Sequence, residues 1–457
     1  MRTAIVGAGP TGLYLGMALA RRGHAVTIVD RDPGPDGDYW DRKGVMQFHH
    51  PHGFRQQVVE ALRAEIPDVW EQLLAAGAEP MTLPNQAQPA GFHCRRLVFE
   101  RVLRAAAAVE SGVELRMGHA DRVLAESGRA VGLSVDGHRL DADLVLDASG
   151  RSGRIGDPFR AAAVGGDCGL AYVSRQYHLL PGASPGPVNS VIGFAAPRLG
   201  YEGFVFVHDN GVISALLTRA TTDRELARLR ATSAFDAAMR AIPGLDVWAE
   251  PGRTCPITAV LPGARLYNSF RGQLTEAARV GLPGLFFVGD AVCTTNPTFG
   301  RGISTSLMQA QELLRLLDQH GKDLSSCAVA FDAWCTEWIR PWFADHVEID
   351  AHRARRWAGQ DIDLSGRLPS DLIMAAAQVD PEIGPYIGPY AGMSALPSSL
   401  DAVQSRAKDV YASGWRPPLP PGPTRDELAE LARVTAQAGP ARTRLPGSEP
   451  MSETVQN

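Results

Sequence analysis

The spacing of apolar and polar positions in the first thirty residues is that of a strand, a helix and a second strand. Residues 3–8 form a short apolar run, and apolar residues recur at helical spacing over residues 11–22. Residues 25–30 are again a short apolar run, rich in β-branched side chains. The pattern predicts a βαβ unit, which places the two strands side by side in a parallel sheet.

Helical and β-rich stretches alternate along the rest of the chain. Residues 58–76, 303–319 and 425–438 have helical spacing. From about residue 164 to residue 279, short β-rich runs are separated by Gly, Pro or Asn-Gly turns, and Asn210-Gly211 predicts a hairpin. The Thr-x-x-Glu pattern at residues 222–225 is typical of a capping box and predicts a helix that extends to Ile242.

Composition and charge narrow the class of protein. The 457 residues are 45% hydrophobic and 21% charged, which are ordinary globular values that exclude wholesale disorder. The net charge of -5 argues against a nucleic-acid partner. No apolar run reaches the roughly 18 residues of a membrane span. The six cysteines include no CxxC pair, which predicts reduced thiols and a cytoplasmic location.

The turn of the βαβ unit carries the pattern Gly7-x-Gly9-x-x-Gly12. In this position the first glycine permits a tight turn, the second lets backbone approach a pyrophosphate, and the third lets helix and strand pack closely. Asp30 ends the second strand, where a carboxylate can accept hydrogen bonds from ribose hydroxyls. The sequence therefore predicts that this turn binds a dinucleotide.

Three later segments indicate which dinucleotide is bound. Residues 285–302 contain a strand, the Gly289-Asp290 pair and a Gly-rich loop that leads into a helix. Residues 96–103 and 143–152 match an Arg-x-x-Leu-Glu-like helix and a strand-turn in the same order. The chain here resembles the FAD-dependent monooxygenases of the aromatic-hydroxylase type and their relatives, the geranylgeranyl reductases and flavin halogenases.

This resemblance implies roles for several residues. Gly289 and Asp290 would hold the ribityl chain of FAD, and Arg96 would contact the cofactor. The loop containing Pro297, Gly300 and Gly302 would lie beside the isoalloxazine. A helix end with positive potential there favours an anionic reduced flavin.

Residues 41–54 resemble a segment of the flavin-dependent epoxidases of polyether biosynthesis, of the lasalocid and monensin type. The Tyr172-x-x-Arg175 pair and the late Pro-Gly-Pro-Thr-Arg run at residues 421–425 resemble that group too. Met46 and the Phe48-His49 pair depart from its pattern. The resemblance implies that Arg42 or Lys43 approaches the FAD adenosine or pyrophosphate, and we also expect Arg31 among the cofactor-binding residues. The catalytic residues stay unassigned, and the candidates near the flavin are Gln47, His50, His52 and Arg175.

Other features of the chain have competing interpretations. His49, His50 and His52 could bind a metal, but no Cys or carboxylate stands at ligand spacing, so we predict no metal site. Cys293 could face the flavin, although a small buried hydrophobe is the favoured interpretation. An aromatic stripe follows residue 330. Core packing is its favoured interpretation, over the wall of a substrate tunnel or a membrane-facing patch. The stripe comprises Phe331, Trp334, Trp338, Trp342 and Phe343.

The resemblance implies an α/β fold, with a Rossmann-like FAD-binding domain, an inserted β-sheet substrate domain and a C-terminal helical segment. We expect the FAD-binding domain in residues 1–163 and 280–345, and the substrate domain in residues 164–279. Residues 346–440 are predicted to be helical, and residues 441–457 to be a disordered tail.

The implied activity is insertion of one O2-derived oxygen into an apolar unsaturated substrate, through a flavin C4a-hydroperoxide. Electrons would come from NAD(P)H directly or through a partner flavin reductase. Two alternatives stay open, a reductase of isoprenoid double bonds and a flavin-binding protein without turnover. The halogenase Gly-Trp-x-Trp-x-Ile-Pro signature is absent from the sequence, which argues against halogenation.

Overall fold

The computed structural model describes residues 1–37, 39–83 and 88–437, so the predicted tail at 441–457 lies outside it. The helices are α1 (Pro10–Arg21), α2 (Gln56–Glu65), α3 (Pro67–Ala75), α4 (Arg96–Val109), α5 (Thr232–Ala241), α6 (Leu245–Trp248), α7 (Gly302–His320), α8 (Leu324–Trp334), α9 (Arg340–Trp357), α10 (Ser370–Ala376), α11 (Gly384–Ala391), α12 (Gln404–Ala412) and α13 (Arg425–Gln437).

The strands are short, as the sequence pattern predicts. They are β1 (Arg2–Val6), β2 (Ala25–Asp30), β3 (Phe54–Arg55), β4 (Glu79–Met81), β5 (Gly91–His93), β6 (Val113–Met117), β7 (Ala120–Glu126), β8 (Arg129–Val135), β9 (His138–Asp141), β10 (Leu144–Asp147), β11 (Val164–Asp167), β12 (Leu170–Leu179), β13 (Gly193–Pro197), β14 (Tyr201–Val207), β15 (Val212–Ala220), β16 (Thr254–Pro256), β17 (Leu261–Gly263), β18 (Tyr267–Phe270), β19 (Leu285–Phe287) and β20 (Cys293–Thr294).

A parallel sheet of order β19-β10-β1-β2-β6 is built around the predicted βαβ unit. β1 pairs with both β2 and β10 in parallel, with Ile5 opposite Ile28 on one side and Leu146 on the other. Ile5 and Leu146 are fully buried, as expected for a sheet covered on both faces. The Rossmann-like part of the predicted α/β fold is confirmed.

A second, antiparallel sheet has the order β13-β14-β15-β12-β16, with β17 on the edge of β12. One face packs against α5 and α13 through buried side chains such as Phe235 and Leu428. The predicted hairpin joins β14 to β15, and Asn210 adopts the left-handed conformation with φ 52°. The hairpin is confirmed, although its turn is longer than two residues.

The helices after residue 340 enclose a third buried cluster that includes Trp342, Leu372 and Tyr411. A small sheet of order β11-β18-β20 joins residues 164–167 to residues 293–294. It therefore connects the stretch assigned to the substrate domain with the stretch assigned to the FAD-binding domain. The proposed division into domains stays a prediction.

Two local predictions were wrong. Residues 58–76 form two helices because Pro67, which has no N–H to donate, follows the non-helical Ile66 and begins α3. The expected capping box does not open a long helix. Asp223 instead accepts hydrogen bonds from the backbone N–H of Glu225 and of Leu226. A 3-10 turn at Leu226–Arg230 follows, and α5 begins at Thr232.

The aromatic stripe belongs mainly to the core. Phe331, Trp342 and Phe343 are buried, whereas Trp338 is 41% exposed. A π-helical turn at Cys335–Ile339 inserts an extra residue between α8 and α9, so the stripe does not stay on one face. In the described ranges, no helix is both long and apolar enough to cross a membrane.

Candidate active site

A cavity of about 200 Å³ opens at the carboxyl ends of β1, β2 and β10. This edge of a parallel sheet is where doubly wound folds bind their ligands. The cavity extends from the glycine turn after β1 to side chains of the antiparallel sheet and of β18. Its walls include Gly7, Gly9, Asp30, Arg42, Met46, Gln47, His52, Arg96, Arg151, Phe206, Leu266, Tyr267, Asp290, Pro297, Gly300 and Gly302.

The glycines of the first turn serve two different purposes. A Cβ atom built on Gly12 would lie 1.9 Å from the carbonyl oxygen of Gly7, so this position closes the turn onto the helix. A Cβ atom on Gly9 would meet no protein atom within 4 Å. Gly9 lines the cavity, directly before the N-terminus of α1 at Pro10. This open backbone at a positive helix end fits the pyrophosphate of a dinucleotide.

The loop before α7 has a similar open glycine. Gly302 begins α7 and lines the cavity, and a Cβ atom there would also meet no protein atom within 4 Å. Pro297 and Gly300 line the cavity beside it. Gly289 does not line it. With φ 72° it turns the chain close to Thr11, whose Oγ1 atom would be 2.9 Å from a Cβ atom on Gly289.

Asp30 lies at the centre of a buried charge network. Its carboxylate accepts hydrogen bonds from the backbone N–H of Ala8 at 2.6 Å and from the guanidinium of Arg42 at 2.8 Å. Arg42 also donates to Glu100, which is fully buried and in turn pairs with Arg96. Burial alone would lower the pKa of Arg42, but Glu100 and Asp30 together hold that pKa above its usual value. The network fixes the carboxylate and presents it to the cavity.

Asp290 follows β19 and points into the cavity. The surrounding protein keeps water from the Asp290 carboxyl group and thereby raises its pKa. The side chain nevertheless remains accessible from the open cavity. Arg96 and Arg151 oppose this rise through their charges. A carboxylate in this place can accept hydrogen bonds from the hydroxyl groups of a bound cofactor.

We expect Asp290→Ala to weaken FAD binding about 10- to 150-fold, because a charge-assisted hydrogen bond contributes roughly 1.5–3 kcal/mol. Titration of the apoprotein with FAD, followed by flavin fluorescence, measures the dissociation constant. Asp290→Asn retains an acceptor without the charge and should have an intermediate affinity. A dissociation constant for Asp290→Ala within twofold of that of the wild type would contradict contact with the cofactor.

The candidate residues of the 41–54 segment separate in the structure. Gln47 and His52 line the cavity, and His52 Nε2 lies 3.5 Å from the guanidinium of Arg96. His50 lies outside the lining. Its Nδ1 atom is 2.7 Å from the hydroxyl of Ser174, and its ring packs edge-on against Tyr172 at 4.8 Å. His50 therefore joins this loop to β12.

Arg175 lies on the opposite face of β12 from Ser174 because successive side chains of a strand alternate. Its guanidinium pairs with Asp236 at 2.8 Å and donates to the carbonyl of Thr258. It does not line the cavity, so the structure does not place this candidate near the predicted flavin position. The exposed residues Arg31 and Lys43 also lie outside the lining.

The sequence did not reveal how the loop before α7 is held. Arg55 donates to the carbonyls of Phe299 at 2.6 Å and of Gly300 at 3.3 Å. The side chain of Asn296 donates to Asp350 at 2.7 Å. These partners are distant in sequence, so no local pattern could have identified them. The loop before α7 is thus held by Arg55 of β3 and by Asp350 of α9.

Four buried or half-buried histidines are held neutral, mainly because burial lowers their pKa. The pKa of His50 falls to about 4 and that of His208 to about 3, and those of His52 and His346 fall well below the usual value. An unfolded chain takes up these protons near pH 6.5, whereas the folded chain does so only at lower pH.

Stability should therefore be full above about pH 6.5 and should decline as the pH falls from 6.5 towards 5. The slope is up to about 1.4 kcal/mol per pH unit for each histidine. Urea denaturation at half-unit pH steps checks this expectation. His208→Gln removes one titrating group and should give a shallower decline. An invariant midpoint across this window would contradict the neutral histidines.

Other candidate chemistry is also placed by the structure. Within the described part of the chain, no group of three or more His, Cys, Asp or Glu side chains is arranged to hold a metal. Cys293 is fully buried, and its burial raises the pKa of the thiol, as a small hydrophobe in the core would show. All six cysteines are free.

Comparison with known families and curated proteins points to the cofactor. Residues 2–86 match the family described as FAD dependent oxidoreductase. The chain is 26% identical over 319 residues to digeranylgeranylglycerophospholipid reductase 1 of Methanopyrus kandleri, covering 66% of this chain and 76% of that protein. The family match supports FAD as the cofactor.

Solved structures share the fold. A flavin-dependent brominase, Bmp2, has a TM-score of 0.64 at 15% identity, and the match covers 91% of this chain and all of that one. PqsL of Pseudomonas aeruginosa, a probable FAD-dependent monooxygenase, has a TM-score of 0.56 at 14% identity, with 79% and 98% covered. At this identity the structures show the fold alone, and the family match supports an oxidoreductase enzyme. None of the three named relatives is a polyether epoxidase, so that resemblance stays a prediction.

Proposed function

We propose that this protein is an FAD-dependent monooxygenase that inserts one O2-derived oxygen atom into an apolar unsaturated substrate, by epoxidation or hydroxylation. The observation that carries the proposal is the continuity of the cavity. The same cavity is lined by Gly9 and Asp290, which suit a cofactor, and by the apolar side chains of Met46, Phe206 and Leu266. A substrate held by these apolar side chains would lie next to the cofactor.

The proposal assigns binding and positioning roles to the residues of the cavity. Gly7 and Gly9 would hold the pyrophosphate, and Asp30 the ribose. Asp290 would hold the ribityl chain, and the loop containing Gly300 would lie beside the isoalloxazine. FAD supplies the redox and oxygen chemistry when bound. The surrounding chain orients the substrate and excludes water.

Two titratable side chains of the cavity wall, His52 and Tyr267, favour an alkene over a phenol. A phenol is usually activated by a base that removes its proton. His52 carries its proton on Nδ1, which donates to the carbonyl of His50 at 3.0 Å, and burial lowers its pKa well below the usual value, so its unprotonated Nε2 atom is a weak base. Burial raises the pKa of Tyr267, whose hydroxyl donates to the carbonyl of Arg151. An alkene needs only apolar walls, whose burial contributes about 25 cal/mol per Å².

A reductase of isoprenoid double bonds is the second candidate. The Methanopyrus relative named above is a digeranylgeranylglycerophospholipid reductase, and it aligns with two thirds of this chain. Turnover assays with extended polyenes and simple phenols, read by product mass, distinguish the candidates. Oxygenation adds 16 Da and requires O2, whereas reduction adds 2 Da for each double bond. Hydroxylation of phenols without activity on any polyene would overturn the proposed substrate class.

The source of electrons is a separate part of the proposal. The enzyme would take them from NAD(P)H directly or from a partner flavin reductase, in the cytoplasm. Stopped-flow mixing of the FAD-loaded protein with NADH or NADPH follows loss of the flavin absorbance near 450 nm, with and without a reductase. Rapid bleaching without the reductase would indicate direct transfer, and bleaching only in its presence would indicate a partner.

A further inference from the structure

Arg151 differs from the other arginines of the cavity wall. It lies in the 3-10 turn at Gly150–Ser152 that follows β10, it lines the cavity, and its side chain is exposed. Arg42 and Arg96 also line the cavity, but both are paired with Glu100. The contacts of the Arg151 guanidinium in the described residues are the carbonyl of Arg265 at 3.4 Å, the sulfur of Met46 at 3.9 Å and the ring of Tyr267. No carboxylate is among these contacts, although Asp290 is near enough for its charge to interact with that of Arg151.

The side chain of Arg151 is nevertheless held in place. Its guanidinium carbon lies 5.5 Å from the centre of the Tyr267 ring, which is within the range of a cation–π contact. The hydroxyl of Tyr267 donates to the backbone carbonyl of Arg151 at 2.9 Å, so the ring and the turn are fixed to each other. Arg265, whose backbone carbonyl accepts the hydrogen bond from Arg151, has the uncommon positive φ of 56°. A cation without a carboxylate at contact distance is thus positioned at the wall of the cavity.

The neighbours of Arg151 are mainly apolar. Met46 and Leu266 line the cavity beside it and pack in the same cluster as Tyr172. A ligand in this part of the cavity can place a charged group on Arg151 while its apolar part contacts Met46 and Leu266. Planar guanidinium groups bind carboxylate and phosphate oxygens through paired hydrogen bonds.

We propose that Arg151, held on Tyr267, binds an oxyanion of a molecule that enters the cavity beside bound FAD. The oxyanion is a carboxylate or phosphate group, carried by the unsaturated substrate or by NADPH. The inference rests on the proposed function and extends it, because it gives the substrate or the electron donor a charged anchor. It assigns Arg151 to binding and gives it no part in oxygen transfer.

The experiment compares FAD-loaded wild type with Arg151→Met, Arg151→Lys and the matched control Arg154→Met. Arg154 is exposed, lies three residues further along and does not line the cavity. Each protein is titrated with linoleate, with uncharged linoleyl alcohol and with NADPH, and binding is followed by the flavin absorbance difference. The affinity of each apoprotein for FAD is measured separately.

We expect Arg151→Met to weaken binding of linoleate or of NADPH about 10-fold or more, because a charge-assisted contact is lost. Binding of linoleyl alcohol and of FAD should change less than twofold, and Arg151→Lys should be intermediate. Loss for linoleate alone identifies the substrate as the source of the oxyanion, and loss for NADPH alone identifies the donor.

Three results would overturn the assignment: wild type that binds neither charged probe, Arg151→Met that binds both as wild type does, or a loss confined to FAD affinity. Failure of the proposed function is a different result. It would appear as the absence of a +16 Da product with any polyene, whatever the binding titrations show.

Discussion

Gly9→Val should yield a folded protein that no longer retains FAD. Gly9 has extended backbone, with φ −82° and ψ −178°, which valine adopts without strain. A Cβ atom there meets no protein atom within 4 Å, so the free energy of unfolding should change little. The added isopropyl group would instead fill the space through which backbone approaches a pyrophosphate. We expect FAD affinity to fall at least about 100-fold, which corresponds to about 2.7 kcal/mol.

Two other glycine variants distinguish a specific loss of FAD binding from a general loss of stability. Gly12→Ala places its Cβ atom against the carbonyl of Gly7, so it should lower stability as well as FAD loading. Gly166→Val is the neutral control, because its Cβ atom also meets nothing within 4 Å and it lies outside the cavity wall. The measurements are the ratio of FAD to protein after purification and the denaturation midpoint. Gly9→Val protein that is fully loaded with FAD would contradict the assignment of this turn.

The sequence predicted well those parts of the fold that depend on neighbouring residues. The bounds of β2 are those expected, β10 lies within the predicted strand-turn at residues 143–152, and α1 and α7 differ by one residue at each end. Their signals are an apolar run, a glycine turn and helical spacing, all of which lie within about twenty residues. The glycines and carboxylates at the ends of these strands were identified for the same reason.

The failures arose where tertiary contacts or strand alternation decide the outcome. Arg175 was selected from a linear resemblance, and the alternation of β12 turned it away from the cavity towards Asp236. After the capping pattern at residues 222–225 a 3-10 turn forms in place of the expected helix, and Asp223 is bound at 2.7 Å by Arg425, about 200 residues later. The partners of the loop before α7 are equally distant. Arg151 lies in the segment 143–152, which the sequence analysis interpreted from its strand and its glycine turn. That no carboxylate contacts Arg151 could be seen only in the structure.

The second large effect is expected in the loop that precedes α7. The side chain of Arg301 is 2% exposed and donates to Asp345 at 2.7 Å and to the hydroxyl of Tyr390 at 2.7 Å. Asp345 is fully buried, and it also accepts hydrogen bonds from Tyr390 and Ser370. The guanidinium lies 4.6 Å from the ring of Trp342. The pair thus joins the end of the loop before α7 to α9 and α11.

Arg301→Met should lower the free energy of unfolding by about 3–5 kcal/mol, because it leaves the charge of Asp345 buried without its cation. The double variant Arg301→Met/Asp345→Asn removes that charge too, so it should lose less than the single variant. Arg315→Met is the matched surface control. Arg315 pairs with Glu312 while 59% exposed, and its loss should change stability by no more than about 1 kcal/mol.

Urea denaturation of the three variants measures these differences, and the visible circular dichroism of bound flavin reports on the loop itself. Because Gly300 and Gly302 flank Arg301 and line the cavity, the flavin signal of Arg301→Met should change, whereas that of Arg315→Met should not. A stability of Arg301→Met within 1 kcal/mol of wild type would mean that the hydroxyls of Tyr390 and Ser370 suffice to hold the Asp345 carboxylate. The Arg301–Asp345 pair would then be dispensable for the order of the loop before α7.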